Sequence, residues 1–484
     1  MSLYLGVDVG TTKIAVVALD VESGRTVAQC ETPNDSEITS AAGKALGRSE
    51  WDADRAADLT LSCISEAVAK TGGRRIECVG VAGQMHGVLL LGAGGKPAGP
   101  FIGWQDQRGQ ESSPNGGGSY IGLMMRQAGL GGFAHTGCTP ATGYMGSTLF
   151  WMAVNRDPRV RADGPGAGVK ACFLADYIVL RLTGQGPVTD PTNAGGSGIF
   201  DVINGQWNKM LIDRLGLRMD LFPPVRKSGE TAGTVTAEAA AATGLAAETP
   251  VCVGCGDNQA GFAGSVAEAS SMLLANIGTG AQVSAWTPRP LIVPSVDTRP
   301  HLDGGFLLVG APLCGGLSYA LLRDFFRMVG REFFDARGDE DLYDQTNQLA
   351  AAVPQGADGL RCEPLFTGTR LDPSRRATWT GMSQANFTPG HFARAILEGV
   401  ADELRKYYTG MLEGGVKLHS RLVCAGNGVR RNPLLGTIVG HAFQMPVQVT
   451  ASTEEAAVGA ALLAATGSGR FASLAEACKL VQYR

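Results

Sequence analysis

The sequence has no run of about 18 uncharged apolar residues, the length a helix needs to cross a bilayer, so no membrane span is expected. It also lacks an excess of either charge. Its 41 Lys and Arg stand against 45 Asp and Glu, and a net charge of −4 gives no electrostatic footprint for nucleic acid or an anionic membrane surface. The only C-x-x-C, at Cys252 and Cys255, has no second such pair and no nearby histidine to complete a zinc site. The eleven cysteines are odd in number and scattered through apolar runs, which reads as reduced core thiols of a cytoplasmic protein. An apolar strand at the start, reaching Asp8 at once, argues against a cleaved signal peptide. Low-complexity tracts and coiled-coil heptads are missing too. Glycine, by contrast, is abundant: 68 residues, above the usual share of about 7%, imply many tight turns and close backbone approaches. A chain of 484 residues exceeds one ordinary core, so two domains of about 200–250 residues are expected. We divide them at residues 1–266 and 267–484.

The rest of the chain is organised around Pro250-Val251-Cys252-Val253-Gly254-Cys255-Gly256-Asp257-Asn258-Gln259. An apolar strand ends in two glycines, then an acid, then a small-residue segment that starts a helix. Such a stretch delivers one carboxylate to the mouth of a cleft, and Asp257 is the candidate catalytic base. The same residues also suit a carboxylate that merely caps the helix.

Two further stretches share one grammar. Residues 4–8 form a strand, Gly10-Thr11-Thr12 a turn, and residues 14–19 a second strand. Exposed N–H groups and hydroxyls in that turn can cradle phosphate oxygens. Asp8 is placed to hold Mg²⁺ through water, and Lys13 adds a positive charge. Residues 272–276, Gly278-Thr279-Gly280 and residues 281–286 repeat the pattern, with Asn276 where the first copy has Asp8. Two such turns facing each other across a cleft would grip a nucleotide from both sides, the amide avoiding excess negative charge beside the phosphates.

Other polar clusters sit at strand ends. Residues 76–82 lead into Gly83-Gln84-Met85-His86-Gly87, a ligand-facing loop on this reading. Trp104-Gln105-Asp106-Gln107-Arg108 offers a flat ring and several hydrogen-bonding groups, as a polyol requires; the plain alternative is a surface salt bridge between Asp106 and Arg108. Residues 422–425 run into Gly426-Asn427-Gly428-Val429-Arg430-Arg431-Asn432, where paired glycines would let a nucleobase lie against backbone with Asn432 positioning it. A small-residue helix from residue 454 is expected to pack under that loop. Helices are expected near residues 52–70, 148–155, 173–182, 238–247, 317–329, 342–352 and 392–412, with loops at 113–118, 190–198 and 365–380 and a hinge at 263–271. Gly143 and Gly195 are candidates for leaving room around a long sugar.

In order and spacing, Asp8-x-Gly-Thr-Thr, Gly83-Gln-Met-His-Gly87, Trp104-Gln-Asp-Gln-Arg108, Gly256-Asp-Asn-Gln259, Gly278-Thr-Gly280 and Ala425-Gly-Asn-Gly-Val-Arg-Arg-Asn-Pro433 resemble the motifs of the FGGY carbohydrate kinases over essentially the whole chain. Within that family they look most like the sedoheptulokinases, with the xylulokinases next. The resemblance implies an α/β fold of two ribonuclease-H-like (actin-like ATPase) domains flanking a deep cleft. It implies ATP and Mg²⁺ between the hairpins, adenine against Gly426 to Asn432, and a sugar on the first domain. Gln84, Met85, His86, Trp104, Asp106, Arg108 and Asn258 are then the sugar contacts. Gly10, Thr11, Thr12, Lys13, Gly278, Thr279, Gly280, Gly426, Asn427, Gly428 and Asn432 hold the nucleotide. Related enzymes often carry a basic residue further along the first hairpin, where this chain has Ala15, so Lys13 departs from the pattern. The expected reaction is phosphoryl transfer from ATP to a terminal hydroxyl of a ketose, sedoheptulose ahead of D-xylulose, by a monomer or homodimer. An actin-like ATPase without a sugar, or a sugar-binding regulator without catalysis, are the readings from other classes.

Overall fold

The computed structural model describes the chain except Met1, Asn115, Pro165, Ala167, Leu313, residues 337–340, Arg370, Leu371 and Pro373, so parts of the expected loops at 113–118 and 365–380 lie outside the described residues. Strand β1, Leu3–Val9, shows why this chain buries both faces of its sheet. Leu3, Leu5, Val7 and Val9 enter one hydrophobic core while Tyr4 enters another, the near-continuous apolar run expected of a strand covered on both sides. β1 pairs antiparallel with β2, Lys13–Asp20, and β2 with β3, Arg25–Pro33. Helix α1, Ala53–Ala69, begins where Asp52 accepts from the Arg55 N–H and packs beneath β2 and β3. Strand β4, Ile76–Gly83, then returns parallel to β1. Thr231–Thr234 (β5), Pro250–Cys252 (β6) and the two residues Cys255–Gly256 (β7) complete the first sheet.

The second sheet repeats this order. β8, Met272–Ile277, pairs antiparallel with β9, Ala281–Thr287, and parallel with Arg421–Ala425. Asp297–Pro300 (β10) and Phe306–Gly310 (β11) extend it beyond β9; Arg421–Ala425 (β12) is followed on the other side by Val447–Val449 (β13). In both sheets a hairpin sits at the centre, its first strand parallel to a later one.

Between β4 and β5 the chain builds a third core, from Val88 to Phe222, on the rim of the first sheet. The segment 190–198 lies within it. Expected as a cleft-side loop, it is a short helix, Pro191–Gly195, capped by Asp190 and buried from Thr192 to Gly195. Asp followed by Pro at the first helical position is a start signal.

The last long helix, α2, Glu455–Gly467, lies elsewhere than expected. Rather than running under the 426–432 loop, it crosses to the first sheet and packs on β1, β4 and the helix Asp257–Ala263. Glycines make the crossing possible. A Cβ on Gly6 would sit 1.8 Å from the Ala457 carbonyl oxygen, one on Gly80 2.0 Å from that of Ala460, and one on Gly459 1.8 Å from that of Ala260. Among the described residues no helix is long and apolar enough to cross a membrane.

Candidate active site between two sheets

β1, β4 and β7 end side by side: Asp8 lies opposite Ala82, and Cys255 and Gly256 opposite Ala82 and Gly83. Three consecutive strand ends therefore present Asp8, the Gln84–His86 loop and Asp257 at one sheet edge, where open parallel sheets bind ligands. Asp257 is the first residue of its helix, not a side-chain cap; its Oδ1 accepts from the Asn258 N–H at 2.7 Å. The residue keeps a window on the cleft, yet protein encloses most of the carboxylate. That loss of solvent pushes its pKa up to about 6; the Asn258 N–H and the Arg299 charge pull the other way. A carboxyl there is ionised at neutral pH and can still take a proton.

The cavity in front of it is about 1100 Å³. Asp8, Lys13, Met85, His86, Trp104, Asp257 and Asn258 of the candidate residues line it, together with Asn276 from the second sheet. His86 holds a positive φ of 75°, donates Nδ1–H to the Gly196 carbonyl at 2.7 Å, and stacks on Tyr144 with ring centres 4.2 Å apart. The Trp104 indole is 44% exposed and its N–H donates to Thr11 Oγ1 at 3.0 Å. Thr11 in turn donates to Gln84 Oε1 at 3.3 Å, so its hydroxyl is tied into the Trp104–Gln84 cluster. Gln84 itself is buried, with Nε2 unpaired.

Asp106 and Arg108 are not available to a sugar. Asp106 is fully buried and accepts from the Ser49 N–H and from Arg108 Nε and Nη2, while Arg108 also reaches Glu50 and stacks over Trp151. The salt bridge considered for them exists, but inside the protein, where it fixes the loop that carries Trp104. Nor does Gly143 leave room for substrate: at φ 78° its missing side chain lets the loop before Tyr144 touch the Trp104 carbonyl. Gly195 likewise makes space for Pro300.

Burial raises the Asp8 pKa well above the ordinary carboxylate range, and Asp257, Glu454 and Glu455 add to the effect while Lys13 opposes it. Its Oδ1 is buried without a partner. A buried, unsatisfied oxygen among other acids suits a cation. Among the described residues no cluster of three or more candidate ligands forms a protein cage, but Mg²⁺ usually takes one or two carboxylates and completes its shell with water and phosphate. The residues present fit that ion. Lys13 is held by Glu31 at 2.8 Å and by the buried Glu454 at 2.5 Å.

On the second sheet a cavity of about 680 Å³ is lined by Gly278, Thr279, Asn427, Gly428 and Asn432. Asn432 donates to Asn347, which also accepts from the Tyr319 hydroxyl, leaving Asn432 Oδ1 unpaired. Gly280 and Gly426 support this wall from behind. Gly315 packs on the Gly280 backbone, and Gly426, at φ 89°, packs on the Ile277 carbonyl. Gly10 and Thr12 lie outside both cavities; Gly10 N–H closes its turn on the Lys13 carbonyl, and Asn34 binds the carbonyls of Gly10 and Thr12.

Sequence reasoning missed Tyr144, Arg299 and Glu454. Arg299, on β10, reaches across from the second sheet to within 3.5 Å of Asn258 Oδ1 and is tied to Asp297 at 2.8 Å. Nothing around it in sequence marks it. Glu454 was visible as the acid before a small-residue helix, but its partner Lys13 is 441 residues away.

Residues 3–264 match the N-terminal domain of the FGGY family of carbohydrate kinases, and residues 273–468 its C-terminal domain. A sedoheptulokinase of Mus musculus is 28% identical over 95% of this chain and 96% of its own. An autoinducer-2 kinase of Yersinia enterocolitica is 28% identical over 95% of this chain and 87% of its own. The crystal structure of a xylulose kinase from Rhodospirillum rubrum superposes with a TM-score of 0.85 at 26% identity, covering 100% of this chain and 93% of that one. The two family models together span most of the chain, which belongs to the FGGY family of carbohydrate kinases, enzymes that transfer a phosphoryl group from ATP to a sugar.

Proposed function

We propose that this kinase phosphorylates the terminal hydroxyl of a ketose, sedoheptulose ahead of D-xylulose, with Asp257 as general base. The observation that carries the reading is the position of Asp257, a largely enclosed carboxylate with a raised pKa that lines the same cavity as His86, Trp104 and Asp8. Residues 1–266 hold the sugar and the base, and residues 267–484 the nucleotide. His86, Trp104 and Asn258 contact the sugar, joined by Tyr144; Met85 closes the floor, and Asp106 and Arg108 act only by bracing the Trp104 loop. The Asp257 carboxylate takes the proton as the hydroxyl attacks, help worth roughly 10²–10⁴-fold. Adenine lies near Asn427, Gly428 and Asn432, and N–H groups of the Gly278–Gly280 turn face the phosphates. Asp8, with its buried unpaired oxygen, would hold Mg²⁺ through water, and the ion would supply positive charge beside the transferred phosphoryl group. We also place the protein in the cytoplasm, in keeping with its eleven free cysteines.

Sedoheptulose comes first because the mouse sedoheptulokinase relative covers nearly the whole chain and the Trp104-Gln-Asp and Gly256-Asp-Asn-Gln259 motifs favour that subfamily. The xylulose kinase structure supports D-xylulose as the second reading. ADP release measured across sedoheptulose, D-xylulose, D-ribulose, glycerol and aldoses tests the proposal. Fastest turnover on sedoheptulose is expected. A preference for xylulose would reverse the order, activity on glycerol alone would remove His86 from its role, and ATP hydrolysis indifferent to sugar would refute the kinase reading.

A further inference from the structure

The buried turn Asp190–Gly198 touches neither cavity, yet both halves of the acceptor site hang from it. Asp190, Thr192 and Asn193 are fully buried. Asp190 Oδ1 accepts from the Thr192 hydroxyl at 2.7 Å and from the Asn193 N–H at 3.0 Å, and Oδ2 accepts from the Ser228 hydroxyl at 2.6 Å. With its proton committed to Asp190, the Thr192 oxygen is left to accept, and the N–H of Gly256 donates to it at 2.8 Å. Gly256 immediately precedes Asp257. Asn193 Nδ2 donates to the Gly254 carbonyl at 3.3 Å, so the strand end is held on both sides. At the far end of the same turn the Gly196 carbonyl accepts from His86 Nδ1, which requires the proton on that nitrogen and fixes the plane of the ring.

We propose that Asp190 and Thr192 are positioning residues: through Gly256 they set where the Asp257 carboxylate stands relative to the sugar-reading His86. The inference rests on the assignment of Asp257 as base. Its physical content is the direction of one chain of hydrogen bonds. The ionised Asp190 accepts only, so it orients the Thr192 hydroxyl, and that orientation presents a lone pair to the Gly256 backbone N–H. The strand end here is only two residues long, and the glycines at 254 and 256 resist little, so an external brace is needed to keep the carboxylate in register. Displacing a reacting group by about 1 Å can cost on the order of 10²-fold in rate.

The test is Thr192→Val, which keeps shape and removes the acceptor, beside Thr192→Ser, which restores it. Rates are followed with whichever of sedoheptulose and D-xylulose turns over faster, and sugar affinity by calorimetry. We expect kcat to fall about 10-fold or more in Thr192→Val while KM and sugar affinity stay within about twofold, because His86 keeps its tie to Gly196; Thr192→Ser should return to within about threefold of the parent. Unchanged kcat would overturn the proposal. So would kcat and affinity falling together without rescue by serine, the mark of a merely structural role. If Thr192→Val does not fold, Ser228→Ala releases the outer oxygen of Asp190 from outside the cleft; a fall in kcat of about threefold at constant KM is expected, and no change refutes the brace. Asp257→Asn separates the two claims. Turnover lost there but kept in Thr192→Val sinks the brace alone, whereas turnover kept in Asp257→Asn sinks the base assignment and the brace with it.

Discussion

β1 and β8 hold the same place in their sheets, each antiparallel to the next strand and parallel to a later one, and each runs into a turn containing Gly and Thr. Their furnishings differ. Near its end β1 carries Asp8 with a buried, unpaired oxygen, and its turn continues into Lys13, pinned between Glu31 and Glu454. β8 reaches Asn276, and its turn is bare glycine and threonine opening on a cavity. One hairpin concentrates charge and the other removes it. That asymmetry is what a phosphate donor with a bound divalent ion would ask of two otherwise equivalent grips, since carboxylates on both sides would repel the phosphates they serve.

Making the first hairpin resemble the second should cause the largest loss. Asp8→Asn is expected to lower kcat/KM for Mg·ATP by about 10²-fold, with partial recovery at high magnesium, because the amide is a poorer partner for the ion's water shell. A magnesium titration identical to the parent's would remove Asp8 from the metal site.

Acid pH probes the same contrast, because the strand ends of the first sheet carry two carboxyls of raised pKa, whereas β8 carries an amide, Asn276, where β1 has Asp8. With Asp257 near 6, about a tenth of it is ionised at pH 5, so kcat should be roughly tenfold below its plateau there. The sign for stability is opposite. A carboxyl whose folded pKa is raised holds its proton more tightly in the folded state, so the stability it contributes is complete below pH 4 and is lost as pH rises through about 6. Asp257→Asn should therefore be more stable than the parent at pH 7, by no more than about 1–2 kcal/mol given the window on solvent, and equal to it near pH 4. Denaturant titrations at the two pH values measure this. A gain that persists at pH 4 would mean that burial is not what raises the group.

The hairpins were legible in the sequence because their signals are local: an apolar strand, a Gly-Thr turn, another strand. So was the Asp257 stretch; the glycines after β12 were visible too, although residues 427–431, expected as a loop, form a short helix, Asn427–Arg431. What stayed hidden depends on residues far apart in the chain. Asp106 and Arg108 look like sugar ligands until Ser49, Glu50 and Trp151 converge on them. The course of α2 is decided by Gly6 and Gly80, whose missing side chains only acquire meaning once the helix lies on them. Arg299 enters the cleft because β10 belongs to the second sheet yet leans on the first domain, where Gln259 donates to the Pro300 carbonyl. The Asp190 brace carried a readable signal, Asp before Pro, obscured by the glycines that follow it.

The reverse exchange should have a smaller effect. Asn276→Asp puts a carboxylate on both sides of the cleft without disturbing Asp8, and KM for ATP should rise by about fivefold while KM for the sugar holds. If sugar affinity falls instead, the second hairpin does not face the nucleotide.

The smallest expected change concerns the two glycines at equivalent positions, and it separates conformational demand from ligand demand. A Cβ on Gly10 would lie 2.9 Å from the Lys13 carbonyl oxygen, the group that closes the turn, so the first hairpin needs glycine for its own sake. A Cβ on Gly278 would meet nothing within 4 Å, and its φ is not positive, so the folded chain alone gives no reason for glycine there. An added methyl at such a position narrows the unfolded ensemble and stabilises by about 0.4–1 kcal/mol. Gly278→Ala should accordingly melt slightly higher than the parent while its KM for ATP rises a few-fold, because the methyl intrudes on the cavity shared with Asn427 and Asn432. Gly10→Ala should melt lower, with ATP use impaired only in proportion to the folded protein lost. Thermal melts and ATP titrations on the pair decide the matter. A Gly278→Ala protein that is destabilised, or that binds ATP unchanged, would show that the open space beside the second turn is not kept for the nucleotide.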